Sequence, residues 1–119
     1  MAHAIVAARD QQDAARSSAR SGVKISDAIH RVIWSDPTGR TLPAPFGGDV
    51  GTFPFLSRLA DAYGDAIIHP AEVASFRREV LRVLEVLVPT SAAASAMQSV
   101  LALAHTAEAD GRFLFCHGD

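Results

Sequence analysis

The chain has a single cysteine, Cys116, so it cannot close a disulfide within itself. Charge of one sign is also lacking: 11 basic side chains stand against 13 acidic ones, a net charge of -2. That balance gives the whole chain no electrostatic pull toward nucleic acid. No apolar run approaches the roughly 20 residues that cross a bilayer. Met1 to Arg9 lacks the basic start and following apolar stretch of a signal peptide. These absences predict a cytoplasmic protein with neither a membrane nor a nucleic-acid partner.

Catalytic signatures are scarce as well. The five histidines, at positions 3, 30, 69, 105 and 117, form no pair at zinc-site spacing, so neither a metal nor another cofactor is expected. Cys116 and His117 are neighbours, and neighbours in an extended segment point to opposite faces. No nucleophile elbow or catalytic-cysteine pattern surrounds any serine or cysteine, and no residue is assigned a catalytic role. Phe46-Gly47-Gly48-Asp49-Val50-Gly51 is rich in glycine, but it has neither a P-loop lysine nor the strand-glycine-helix setting of a dinucleotide site. A turn is the simpler reading.

What the chain does have is apolar surface. Of its 119 residues 49% are hydrophobic, enough to offset chain entropy and fold as one domain. A chain of this size buries about two-thirds of the surface its unfolded form exposes.

Residues 1–22 are rich in alanine, arginine, serine and glutamine, with Ile5 and Val6 the large aliphatics after Met1. No apolar stripe holds them to a core, which predicts a flexible N-terminal arm followed by a single α+β domain over 23–119. Ile29 to Trp34 is dense in β-branched and aromatic residues before the turn Asp36-Pro37-Thr38-Gly39, and reads as a strand. A short helix capped by Ser26 or Asp27 is the competing reading, because Ile25, Ile29, Val32 and Ile33 also fit helical spacing.

Thr41 to Thr52 carries two prolines and three glycines and reads as a loop. Pro54 then opens a three-turn amphipathic helix with Phe55, Leu56, Leu59, Ala60 and Tyr63 on its apolar side, stopped by Gly64. Ala66-Ile67-Ile68 suits a short strand.

From Pro70 to Pro89, Val73, Phe76, Val80, Val83, Leu84 and Leu87 recur at spacings of three and four, with Glu72, Ser75, Arg78, Glu79, Arg82 and Glu85 on the other side. Thr90 or Ser91 caps a second long helix whose Ala93, Met97, Val100, Leu101 and Ala104 face inward until Gly111. So short a link makes the two helices antiparallel neighbours. Arg112 to Cys116 reads as a closing strand, its Phe113 to Cys116 segment expected to pair with Ile29 to Trp34. The predicted fold is α+β: a small antiparallel sheet of short strands packed against an antiparallel pair of long helices plus one shorter helix.

Two charged positions break the pattern. A helical wheel places Arg77 inside the apolar arc between Leu81 and Leu84, and Glu108 falls on the neighbouring helix's apolar face, about one turn beyond the level of Arg77. An ion pair between Arg77 and Glu108 is therefore expected, since an unpaired buried charge is costly. Snorkelling of Arg77 is the alternative. Val86 falls on the polar side of its helix, near Glu79 and Arg82, and Leu103 flanks its own stripe; together they hint at a contact surface for another copy or another protein.

Acidic residues prevail after Arg40, and Asp61, Asp65 and Glu72 bracket the turn between two helices. With Asp49 of the glycine-rich loop they form the expected partner-binding set, suited to a basic partner. Helix-end electrostatics is the competing explanation for Glu72.

Phe53-Pro54-Phe55-Leu56-Ser57-Arg58-Leu59, Tyr63-Gly64-Asp65, the long amphipathic helix and the closing Gly118-Asp119 give the chain a loose likeness to a known group. From about Trp34 to Asp119 it resembles small uncharacterised bacterial proteins, some of which are similar to immunity proteins that neutralise a cognate toxin. The resemblance implies a protein-binding module that occludes a toxin-like partner, and it brings no catalytic residue. Two other functions stay open: a small enzyme or ligand-binding domain using Thr41 to Thr52 as a lid near His69 or His105, and a self-associating subunit. The oligomeric state expected is monomer or homodimer.

Overall fold

The computed structural model describes residues 3–10, 12–13, 22–26, 28–29, 55–59, 65–87 and 89–118. Four strands, β1 (His3–Ala8), β2 (Val23–Ile25), β3 (Ala66–Ile68) and β4 (Phe113–Gly118), form one sheet in the order β2-β1-β4-β3. Every pairing is antiparallel. Two helices, α1 (Val73–Val86) and α2 (Ala92–Asp110), pack on each other and close one face of the sheet. The architecture is α+β, as the sequence pattern requires. No helix among the described residues is long and apolar enough to cross a membrane.

The two inner strands come from opposite ends of the chain. β1 runs alongside β4 with Ile5 opposite Cys116 and Val6 opposite Phe115, and its other edge takes β2 with Ile5 opposite Val23. Residues 3–8 are thus built into the middle of the sheet, which corrects the reading of this stretch as part of a flexible arm. The physical reason is tertiary: alanine is a poor strand former, yet pairing on both sides supplies hydrogen bonds that local propensity does not report. Ile5, Val6 and Ala8 are all fully buried.

The pairing proposed for Ile29 to Trp34 is also corrected. Both edges of Leu114–Cys116 are occupied, by β1 and by β3, and a strand has only two. Ala28 and Ile29 are helical, and the Ile29 amide donates to Ser26 Oγ at 3.3 Å, the local capping that the competing reading contained. Positions 30–34 lie outside the described residues.

Alternation in the strands divides the core. Ile5, Ile25, Ile68, Leu114 and Cys116 pack against Phe76, Val80 and Val83 of α1 and Met97, Val100 and Ala104 of α2. Val6, Ala8 and Phe115 are buried on the opposite face, with Phe113 packed against them. The sheet is therefore apolar on both sides, which explains why β4 reads as a continuous run rather than an alternating one.

Local chemistry fixes the helix ends. Pro70 opens a 3-10 turn, Pro70–Glu72, that leads directly into α1. Ser91 Oγ accepts the Ala94 amide at 3.1 Å at the start of α2. Gly111 ends α2 in the left-handed conformation, φ 64°, which an L-residue adopts only with strain. Of the helix expected after Pro54, the described part is a 3-10 turn, Leu56–Leu59, with Leu56 and Leu59 fully buried.

Candidate functional site

The charged side chains show where this fold concentrates its chemistry. Glu79 is the one buried charged residue among those described, 5% exposed. The wheel placed it on the polar side of its helix; instead its carboxylate turns toward the segment before β3. Oε1 accepts the Leu56 amide at 2.9 Å and the Phe55 amide at 3.1 Å, and Oε2 lies 3.3 Å from the Phe55 nitrogen. The first amides of a helical turn have no partner within it, so a carboxylate there caps the Leu56–Leu59 turn. Burial pushes the Glu79 carboxyl up, against the opposing pull of the two amides and of Arg82 and Arg58.

Arg58, in the same Leu56–Leu59 turn, and Glu72, which immediately precedes α1, form a forked pair. Nη1 donates to Glu72 Oε1 at 2.9 Å and Nη2 to Oε2 at 3.0 Å. Nη1 also donates to the Ile67 carbonyl of β3 at 3.1 Å, and Glu72 Oε1 accepts the His69 amide at 3.0 Å. The guanidinium lies over the Phe55 ring, 4.9 Å from its centroid. Hydrogen bonds from Arg58 and from the His69 amide hold the Glu72 carboxyl down at about 2.

Glu72 therefore closes a network inside the fold. Of the other residues expected to bind a partner, Asp65 is exposed immediately before β3, while Asp49 and Asp61 lie outside the described residues. The four are not brought together as one described surface.

Arg77 and Glu108 meet as the helical register requires. Nε donates to Oε2 at 2.6 Å, and both side chains remain partly exposed, at 21% and 39%. The pair staples α1 to α2 at the surface and buries no charge. Leu103, one of the two residues suggested for self-association, is packed against the main core. The Val86 side chain and the Thr41 to Thr52 loop lie outside what is described.

Two groups with reactive potential are held in place by the sheet. Cys116 is buried, and desolvation pushes its thiol up to about 12, so it is not a thiolate nucleophile. His117, facing the other way, buries Nε2 with no hydrogen-bond partner among the described residues. On that face His69 meets Phe113 edge-on at 5.3 Å, and Phe113 stacks on Phe115 at 5.6 Å. His105 is exposed on α2. No group of three or more potential metal ligands gathers among the described residues.

The outward side of α1 has a different character. Leu81 is 38% exposed, with Arg77 and Arg78 one turn before it and Leu84 and Glu85 one turn after. Arg82 is exposed beside it. Ile67, also 38% exposed, is the other large apolar side chain on the described surface. Comparison with protein-family models, with curated proteins and with solved structures returns no significant match for this chain.

Proposed function

We propose that this chain is a non-enzymatic protein-binding module that acts by covering a partner's surface, as an immunity protein covers its toxin. The observation that carries the reading is the outward face of α1, where the exposed Leu81 stands among Arg77, Arg78 and Arg82. Arginine around an apolar anchor is the composition of protein interfaces, in which lysine is depleted and arginine enriched. Arg77 is held by Glu108 and the exposed Glu85 lies one turn beyond Leu81, so the face carries both signs around its apolar anchor, the mixed rim of a protein contact.

The carboxylates support the same reading. Glu79 and Glu72 are engaged by amides and by Arg58, so their hydrogen-bonding capacity serves the 55–72 region. The buried Cys116 thiol is likewise unsuited to covalent catalysis.

Co-purification from the native host, with the neighbouring gene products present, tests the proposal when wild type and Leu81→Glu are compared. A stoichiometric partner bound by wild type and lost from the variant is the expected result. No partner, or equal retention by both proteins, would overturn it.

A further inference from the structure

The edge of the sheet at β3 carries a second inference, independent of the α1 face. Among the described strands β3 has one neighbour, β4, and its outer edge pairs with no described strand, while two of its outward groups, the Ile67 carbonyl and the His69 amide just beyond it, are held by Arg58 and Glu72. The Ile67 carbonyl accepts from Arg58 Nη1, which marks it as the carbonyl on that outer edge. Arg58 is itself fixed there by both oxygens of Glu72 and by its place over Phe55. At the opposite edge, the middle residue of β2 is Lys24, the chain's one lysine, and it is exposed. Both edges thus carry a cation, the device by which sheets discourage edge-to-edge pairing.

We propose that the Arg58–Glu72 pair is a guard on the β3 edge, and that the edge it covers is a latent pairing surface for β3 of a second copy of this chain. The sequence of the edge identifies the occupant. Asp65-Ala66-Ile67-Ile68-His69 is complementary to itself in antiparallel register. Centred on Ile67, the pairing sets Ile67 against Ile67, Ala66 against Ile68, and Asp65 of one copy opposite His69 of the other. The central pair is apolar, and the two flanking pairs set an acid against an imidazole. Asp65, Ile67 and His69 are all exposed. A two-fold axis through Ile67 makes the contact isologous and closed, so it ends at a dimer. While Arg58 occupies the Ile67 carbonyl, the second strand cannot form the central hydrogen-bonded pair.

The test is sedimentation equilibrium on the full chain, comparing wild type, Arg58→Met, Glu72→Gln and Arg58→Met/Ile67→Lys. Methionine keeps an apolar stem over Phe55 and removes the donors. Glu72→Gln loosens the guard while leaving Arg58 in place, and covers the case in which Arg58→Met fails to fold. The expected result is a dimer at least tenfold tighter in Arg58→Met than in wild type, and an intermediate shift in Glu72→Gln. The lysine variant should return to the wild-type monomer, because the centred register sets like charges directly opposite. Hydrogen exchange at the Ile67 amide should slow in the dimer. Natively folded single variants with wild-type self-association would overturn the proposal. So would a dimer that survives Ile67→Lys, or a wild-type protein that already dimerises as tightly as Arg58→Met.

Discussion

Glu79 of α1 accepts the backbone amide of Leu56 at 2.9 Å, joining residues 23 positions apart through a buried carboxylate. With the Phe55 amide on the same group, this contact anchors the 3-10 turn to the helix. The fold depends on Glu79 as a structural acceptor, in a helix position that also lies against the core.

Replacing Glu79 with alanine leaves two amides without their acceptor and should lower stability by about 2 to 4 kcal/mol. Glutamine keeps one acceptor oxygen and should cost less. The pH dependence carries a definite sign. Because the folded state holds the Glu79 proton more tightly than the unfolded chain, the stability this group contributes is full at pH below about 4.3, the ordinary glutamate value. It falls as pH rises through the raised folded value. Urea melts across pH 3 to 8 should show the wild-type advantage over Glu79→Gln shrinking as pH rises.

Glu72 has the opposite sign. Its carboxyl is held at about 2, so its contribution is present above about 4.3, the ordinary glutamate value, and disappears as pH falls toward the folded one. The side chains of Arg58 and Glu72 are 38% and 26% exposed. Solvent screening therefore limits the effect to about 1 kcal/mol. Acid titration of wild type and Glu72→Gln should show two stability curves that are separated at pH 6 and merge near pH 2.

The position of β1 makes deletion of residues 1–8 a severe change. It strips β4 of the partner that runs along its whole length and separates β2 from the sheet. The truncated chain should lose its cooperative thermal transition, whereas a dispensable arm would leave the transition in place.

The helices were legible in the sequence because their signals are local. Pro70, Ser91 and Gly111 mark ends through their own backbone chemistry, and the stripes from Val73 to Val83 and from Ala93 to Ala104 repeat at helical spacing. The Arg77–Glu108 pair followed from the same arithmetic. β1 was hidden because its partners lie at the other end of the chain, and no local window contains Ile5 together with Cys116. Glu79 carries a local signal too: it stands three residues after Phe76 and four before Val83, both buried, and so borders their side of the helix. What no sequence pattern held was the donor pair at Phe55 and Leu56, or the Ile67 carbonyl that receives Arg58. Those contacts exist only once the turn, the strand edge and the helix are assembled.

The protein-binding account is tested most directly by placing a photo-cross-linking amino acid at position 81, and in a control at position 102 on the exposed side of α2, and irradiating cells of the native host. The account predicts one dominant protein adduct from position 81 and none from position 102. No adduct at 81, or the same adducts from both positions, would contradict it.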